Sequence, residues 1–249
     1  MYADYFFGTF QHKCKDTTVQ IIDDIYCEPE FARFYEKLST GDDEDIKTYL
    51  EMFDSEDRVL EIGTGNGRVL KPLLRNEINI YGIEPAIEML NYLSSEERSR
   101  VEVIGIEDLM LLKSSERFSH IIIPATSICL FDFKVFATFL LEAKSLLKDR
   151  GKIIFDFLNP TWIQDNDKSI TTVKLDGQLF ISGNFVKNDQ FIYNIYTRGA
   201  DGCKKLGYSI KNIYSIERIQ EYCQQIGYTF CLLKATDEHI LMEVTKHEP

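Results

Sequence analysis

Three glycines at alternate positions, Gly63, Gly65 and Gly67, separate an apolar run from a helical one, and Glu61 stands two residues ahead of the first. Glycine lets a backbone approach a ligand closely and turn through positive φ. In an open α/β sheet such a turn lies at the carboxyl ends of the strands, where ligands bind. Spacing selects the ligand. The dinucleotide fingerprint G-x-G-x-x-G requires a glycine at position 68, which is occupied by Arg68. A P-loop requires Gly-Lys-Ser/Thr after the glycines, and none follows. Glu84 ends the next apolar run, 21 positions after Gly63. At that spacing an acidic residue reaches a ribose. Its carboxylate can accept from both ribose hydroxyls in strong, charge-assisted bonds, and it repels a 2′-phosphate.

The elements that must position these residues are visible in the apolar pattern. Short apolar runs at 59–62, 78–83, 101–106, 119–123 and 152–157 read as strands. Helices are expected between them over 68–75, 86–93 and 133–147, with Pro72 kinking the first and Gly151 stopping the last. This alternation means βαβ units and a parallel sheet, covered on both faces. Ahead of it, residues 1–40 are aromatic-rich, with helical stretches expected at 17–25 and 28–38 and Pro29 in the first turn of the second. Asp42-Asp43-Glu44-Asp45 reads as the solvated start of a helix whose Ile46, Tyr49, Leu50 and Phe53 share one face. Residues 169–213 break the alternation. Four consecutive strands are expected there, at 171–175, 178–187, 191–198 and 204–214, with Asp176-Gly177 and Asn188-Asp189 as turns. Ser215 then caps a helix that Gly227 ends, and 228–234 with 239–245 form a closing hairpin.

The ordered segments resemble those of class I S-adenosylmethionine-dependent methyltransferases. Glu61-Ile62-Gly63-Thr64-Gly65-Asn66-Gly67 is similar to their motif I. Gly82-Ile83-Glu84-Pro85, followed by Met89-Leu90, resembles the second motif, with Ala86 where Ser is common. Phe118-Ser119-His120-Ile121 resembles the fourth-strand segment, with His120 in place of Asp, and Leu147 through Phe157 resembles the fifth strand and the turn before it. Phe34-Tyr35 and Tyr214-Ser215 resemble pairs found in a small-molecule branch. The resemblance covers about residues 26–160 and 213–247. It implies a Rossmann-like, doubly wound seven-stranded α/β sheet whose last strand is antiparallel. Residues 1–53 are then an N-terminal helical lid, 54–160 with 213–249 the cofactor-binding domain, and 161–212 an inserted antiparallel β meander. It also implies S-adenosyl-L-methionine as methyl donor and S-adenosyl-L-homocysteine as product. The residues implied to bind the cofactor are Tyr35, Glu61, Gly63, Thr64, Gly65, Glu84, Pro85, Pro124 and Ala125. Adenine is taken either by Glu107 or by the backbone of Ile106.

Methyl transfer from a sulfonium is an in-line displacement, so the protein supplies mainly binding and orientation. A proton acceptor is needed only where the nucleophile arrives protonated. The family's topology implies a substrate side made of Tyr26 and Tyr35 from the lid, Thr126 and Ser127, then Asp156, Asn159 and Trp162, and Tyr214. Tyr26 and Asp156 are the candidates for base or orienter. Amino-methyltransferases of nucleic acids carry an Asp/Asn-Pro-Pro-aromatic motif after the fourth strand, where this chain has Pro124-Ala125-Thr126-Ser127. Asn159-Pro160 reads as a turn, and His12, His239 and His247 show no pairing. Tyr5, Phe6, Phe7 and Tyr26 in the lid, with Phe180, Phe185 and Tyr193 in the meander, are expected to wall a small-ligand pocket.

Composition limits the partners. With 28 Lys and Arg against 40 Asp and Glu, the 249-residue chain carries a net charge of −12, which opposes nucleic acid and anionic lipid. No apolar run reaches the roughly 18 residues of a membrane span. Met1-Tyr2-Ala3-Asp4-Tyr5 shows no leader character, and the six scattered cysteines have no metal-binding spacing. A cytoplasmic enzyme with reduced thiols, no metal and a small-molecule or peptide acceptor is expected. The acidic balance favours a cationic acceptor, and so N- over O-methylation. A monomer, or a homodimer through the edges of the meander, is expected. The alternatives are a methyltransferase-like subunit without catalysis and a nicotinamide-dependent oxidoreductase, against which Arg68 counts.

Overall fold

In a computed structural model of the protein, which describes residues 2–38, 44–113 and 116–246, two sheets face each other across a cavity. Asp42, Asp43 and His247 lie outside the described residues. The strands are β1 (Val19–Ile22), β2 (Arg58–Ile62), β3 (Asn79–Ile83), β4 (Val101–Glu102), β5 (Phe118–Ile123), β6 (Leu147–Leu158), β7 (Ile170–Leu175), β8 (Gln178–Lys187), β9 (Gln190–Arg198), β10 (Lys204–Asn212), β11 (Tyr228–Ala235) and β12 (His239–Lys246). The helices are α1 (Gly8–Lys13), α2 (Pro29–Leu38), α3 (Glu44–Met52), α4 (Leu70–Arg75), α5 (Ser95–Arg98), α6 (Phe133–Leu146), α7 (Pro160–Asp165) and α8 (Ile216–Gln225).

The larger sheet has seven strands in the order β11-β12-β6-β5-β2-β3-β4. β2 pairs in parallel with β3 and β5, and β5 with β6, while β12 runs antiparallel to both of its neighbours. The seven-stranded α/β sheet with an antiparallel last strand is therefore as expected. Successive side chains on a strand point to opposite faces. Leu60 and Ile62 pack on one face with Phe136, Phe139 and Leu140 of α6 and with Ile219 and Cys223 of α8. Val59 packs on the other with Tyr49, Phe53, Leu70 and Leu73. Both faces are dry, which is why the strands read as unbroken apolar runs.

β7 to β10 form the expected antiparallel meander, and β1 adds to it in parallel, with Val19 opposite Lys204. A helix was the sequence expectation at 17–25. The β-branched run Val19-Gln20-Ile21-Ile22 instead closes the open edge of β10, since four residues gain more from a waiting ladder than from one helical turn.

The two faces of this second sheet do different work. Tyr193 and Ile195 face the cavity. Asn194 and Tyr196, which alternate with them, face outward, where Phe6, Phe10, Val19 and Leu206 cluster. Asn194 is fully buried, and its Nδ2 donates to Tyr5 O at 2.7 Å. Tyr5 stacks on Tyr208 at 4.6 Å, and Phe7 packs on Phe185 at 5.1 Å. Tyr5, Phe6, Phe7 and Phe185 are thus on the outer face and do not line this cavity, contrary to the sequence expectation. Period-2 alternation puts every second residue out of reach of the cavity, and composition alone does not reveal the phase. Phe180 lies on the inner side but stacks on Phe34 at 4.4 Å as packing.

Several local expectations change. Pro72 is the third residue of α4, where an N–H lacks a helical partner anyway, so it breaks nothing. The helix expected at 86–93 is one tight turn, Met89–Tyr92, and the strand at 101–106 shortens to β4 before a turn at Ile106–Leu111. Gly151 lies inside β6, past an irregularity in its pairing with β5, and α6 ends earlier at Leu146. Asn159-Pro160 is not a simple turn: Asn159 caps α7 and Pro160 is its first residue. Among the described residues, no helix is long and apolar enough to cross a membrane.

Candidate active site

Parallel pairing brings Ile62 level with Ile83, so the glycine turn after β2 abuts the end of β3. The N–H groups of Gly63 and Thr64 both donate to Ile83 O, at 2.9 and 3.1 Å. Gly63 and Gly65 have φ of +76° and +57°, a region that L side chains rarely adopt. Glu84, 7% exposed, accepts from Gly65 N–H through Oε2 at 2.9 Å and from Ala86 N–H through Oε1 at 2.8 Å. The carboxylate is no solvated strand end; it pins the glycine turn. Burial pushes its pKa up, and the two N–H groups oppose that rise. A carboxylate oxygen has two lone pairs, so each oxygen of Glu84 keeps one for a ligand hydroxyl.

Behind the turn, Glu61 is 1% exposed, and among the described residues its Oε2 has no hydrogen-bond partner. Burial pushes its pKa up to about 8. Thr64 Oγ1 bears on the Glu61 carboxyl and otherwise is buried without a partner among the described residues, nested on Gly82, where a Cβ would stand 2.0 Å from it. Orphaned buried polar atoms are rare in native proteins and mark places where something else supplies the bond.

A cavity of about 640 Å³ opens beside this turn, between the two sheets. Ala125 and Thr126, just past β5, are consecutive left-handed residues with φ of +57° and +56°. Thr126 N–H donates to Asp156 Oδ2 at 2.9 Å, and Lys211 Nζ donates to Thr126 Oγ1 at 2.8 Å. All three side chains line the cavity. Burial pushes the Asp156 carboxyl up to about 7 and the Lys211 ammonium below its ordinary value. Across the cavity Arg68 binds Asp45 through both nitrogens, at 2.8 and 2.5 Å. This two-point pairing is the strong form of an ion pair.

Of the residues singled out from sequence, Tyr26, Tyr35, Ala125, Thr126, Asp156 and Trp162 line the cavity together. Tyr26 and Tyr35 meet edge to face at 5.9 Å, and burial raises both phenols. Ser127, just past β5, abuts the glycine turn, its Oγ 3.4 Å from where a Cβ on Gly63 would stand. Pro124 is buried at the end of β5, while Pro85 and Glu107 are exposed. Ile106 packs with Leu60, Ile62 and Ile83 in the core. Two candidates stand away from the cavity. Asn159 uses its side chain on Thr161 N–H and Thr236 O, at 3.0 and 3.1 Å. Tyr214, 3% exposed, donates to Phe131 O at 2.9 Å inside the core.

Other lining residues escaped the sequence reading. Asp45 and Arg68 are 23 positions apart and belong to no common pattern. Lys211 could have been noticed as a charge on the same strand face as Ser209. His239 was set aside, yet it lines the cavity rim, 3.7 Å from Glu238.

Residues 59–151, which include the glycine turn, Glu84 and Thr126, match the family described as a methyltransferase domain. Residues 59–151 thus carry a methyltransferase domain, in line with the resemblance read from the sequence. No curated protein matches the sequence. Among solved structures, a S-adenosylmethionine-dependent methyltransferase from Clostridium acetobutylicum aligns with a TM-score of 0.68 at 19% identity, covering 89% of this chain and 100% of that one. A sugar N-methyltransferase from Streptoalloteichus aligns at 0.63 and 15% identity, covering 90% and 89%. An amino pentose methyltransferase from Micromonospora echinaspora, solved with S-adenosylmethionine bound, aligns at 0.58 and 12%, covering 97% and 98%. At these identities the likeness is one of fold.

S-adenosylmethionine is the cofactor that the sequence resemblance implied, and the groups present suit it. The spare lone pairs of Glu84 could take a ribose diol. The orphaned acid oxygen of Glu61 could take the ammonium of the amino-acid end, a cation that would compensate its burial.

Proposed function

We propose that the methyltransferase moves the methyl group of S-adenosylmethionine to an amine of a small, polar acceptor held between the two sheets, with Asp156 as proton acceptor. The cofactor, when bound, supplies an electrophilic methyl group on a sulfonium. The observation that carries the reading is Asp156 itself. A carboxylate with a pKa near 7 is half ionised at neutral pH, where a general base is most effective. An amine must lose a proton to attack, whereas a thiolate or carboxylate needs no base. Thr126 N–H holds Oδ2 of Asp156, leaving Oδ1 to take the proton. Tyr26, the other candidate, is raised further from neutrality by burial and is suited to orient rather than to ionise.

Cavity volume supports a small acceptor, since about 640 Å³ is a usual size for a small-molecule site. Short peptides fit the same volume; a nucleic-acid duplex does not. The net charge of −12 disfavours polyanions in any case. The sugar N-methyltransferase and the amino pentose methyltransferase of the same fold are consistent with an amine on a small polar ring. On this reading Glu61, Gly65 and Glu84 hold the cofactor, Tyr35 covers it, and Tyr26, Trp162 and Tyr193 wall the acceptor. The test is transfer of labelled methyl from the cofactor into a pool of small amines and alcohols, short peptides, tRNA and DNA. Label on small amines or peptide amines is the expected result. Label only on hydroxyl groups, or salt-sensitive label on nucleic acid, overturns the reading.

A further inference from the structure

We propose that Lys211 is a positioning residue for methyl transfer: from the second sheet it anchors Thr126 and, through Thr126, the carboxylate of Asp156. The inference rests on the reading of Asp156 as base and goes beyond it by making that base depend on the opposite sheet. Lys211 is the penultimate residue of β10, on the inward face with Ser209. A lysine withdrawn into a largely apolar cavity is costly unless its ammonium is used. Its neighbour Asn212 donates through Nδ2 to Cys129 O at 3.2 Å, which ties the end of β10 to the turn after β5 and fixes where the ammonium sits.

Lys211 then meets a turn that needs support. Ala125 and Thr126 are both left-handed without being glycine. Such residues persist only where the surroundings over-determine them. Thr126 is held at both of its polar ends, by Lys211 Nζ at Oγ1 and by Asp156 Oδ2 at its N–H. The sequence Lys211, Thr126, Asp156 therefore runs from one sheet to the other across the floor of the cavity.

The charges around Asp156 make Lys211 distinctive. Asp45 from α3 and Arg68 from the glycine turn face it, but they bind each other. The phenols of Tyr35 and Tyr49 and the thiol of Cys129 also face it. Among the described residues, Lys211 is the cation bearing on Asp156 that makes no carboxylate contact, and Glu238 acts on it from the rim.

The experiment compares wild type, K211M, K211R and D156N. The Asp156 carboxyl is titrated by carbon-13 NMR, with D156N assigning the signal. Cofactor affinity comes from calorimetry, and turnover is followed against pH with the amine found by the labelled-cofactor assay. In K211M the Asp156 midpoint should rise by about one pH unit, the low end for loss of a nearby opposite charge. Turnover should fall about 10- to 100-fold, as when a reacting group is misplaced, with cofactor affinity near wild type. K211R should keep the midpoint and recover part of the rate. If K211M does not fold, T126V removes the hydroxyl that Lys211 holds and should move turnover in the same direction. An unmoved midpoint in folded K211M, or wild-type turnover in T126V, overturns the proposal even if D156N is inactive. Wild-type turnover in D156N overturns the reading of Asp156 as base, separately from the NMR result.

Discussion

The glycine turn, proposed to hold the cofactor, and the Thr126 turn, proposed to wall the acceptor, use one device in two constructions. In each, a buried carboxylate receives the backbone N–H of a left-handed residue just past a parallel strand. Glu84 takes Gly65 N–H and Asp156 takes Thr126 N–H, both at 2.9 Å, and the two turn residues have φ of +57° and +56°. The cofactor turn makes its bend from glycines, and its carboxylate comes from the next strand, 19 residues on. The acceptor wall bends through Ala125 and Thr126, and its carboxylate is 30 residues away. Thr126 adds a hydroxyl that Lys211, 85 residues away on the other sheet, reaches. A glycine bend needs little beyond its neighbours. A threonine bend keeps a side chain for chemistry, at the cost of strain that distant groups must hold.

The comparison breaks most sharply at its two carboxylates. Asp156→Asn should lower turnover by about 10²- to 10⁴-fold, the usual worth of a general base, while leaving cofactor affinity in place. Stopped single-turnover assays and calorimetry check both halves. In wild type the rate should rise as pH climbs through about 7, because the ionised form of Asp156 is the active one. Glu84→Ala should do the reverse. It should weaken cofactor binding by about 1.5–3 kcal/mol, the range for charged hydrogen bonds, with turnover at saturation changed far less. It should also lower the melting temperature of the free protein, because Gly65 and Ala86 N–H lose their acceptor.

Gly82→Ala sharpens the cofactor side. The added Cβ would stand 2.0 Å from Thr64 Oγ1 and 3.1 Å from its Cβ, so the turn must shift. Overpacking of this kind costs about 1–3 kcal/mol, read as a lower urea midpoint, and here it should appear with weaker cofactor binding.

Glu61→Gln tests the orphaned carboxyl by pH. The folded-state pKa of about 8 lies above the ordinary 4.5, so the native state keeps a proton that the unfolded chain releases. Stability of the free protein therefore falls as pH rises from about 4.5 to about 8. Glu61→Gln should flatten that slope in melting curves taken across the window. If Glu61 receives the cofactor's ammonium, binding to wild type near pH 7 should also release protons, seen as a buffer-dependent calorimetric heat, and Glu61→Gln should release fewer.

The smallest effect separates the two faces of the second sheet. Tyr5→Ala should cost about 0.5–1.5 kcal/mol of stability, the worth of an aromatic pair, and leave the acceptor KM unchanged. Tyr193→Ala, on the inner face, should raise that KM. Equal effects of the two on KM would mean that the outer aromatic cluster does reach the acceptor.

Sequence by itself determined the larger sheet and its cofactor turn. Alternating apolar runs and helices set the parallel strands, and Glu61, the glycines and Glu84 lie within 24 consecutive residues. Short spans carry such information because their geometry is made by backbone hydrogen bonds between adjacent strands. The meander was legible too, since its turns and strands are local. The phase of its strands was not: the aromatic residues near the N-terminus suggested a pocket wall, and only the packing of Phe6 and Phe10 behind β9 and β10 showed otherwise. Tertiary structure alone decided β1, whose four residues gained a partner 185 positions away, and the acceptor wall, where Asp45, Arg68, Thr126, Asp156 and Lys211 meet. Their roles depend on burial and mutual distance, and both are set by how two sheets dock rather than by spacing along the chain.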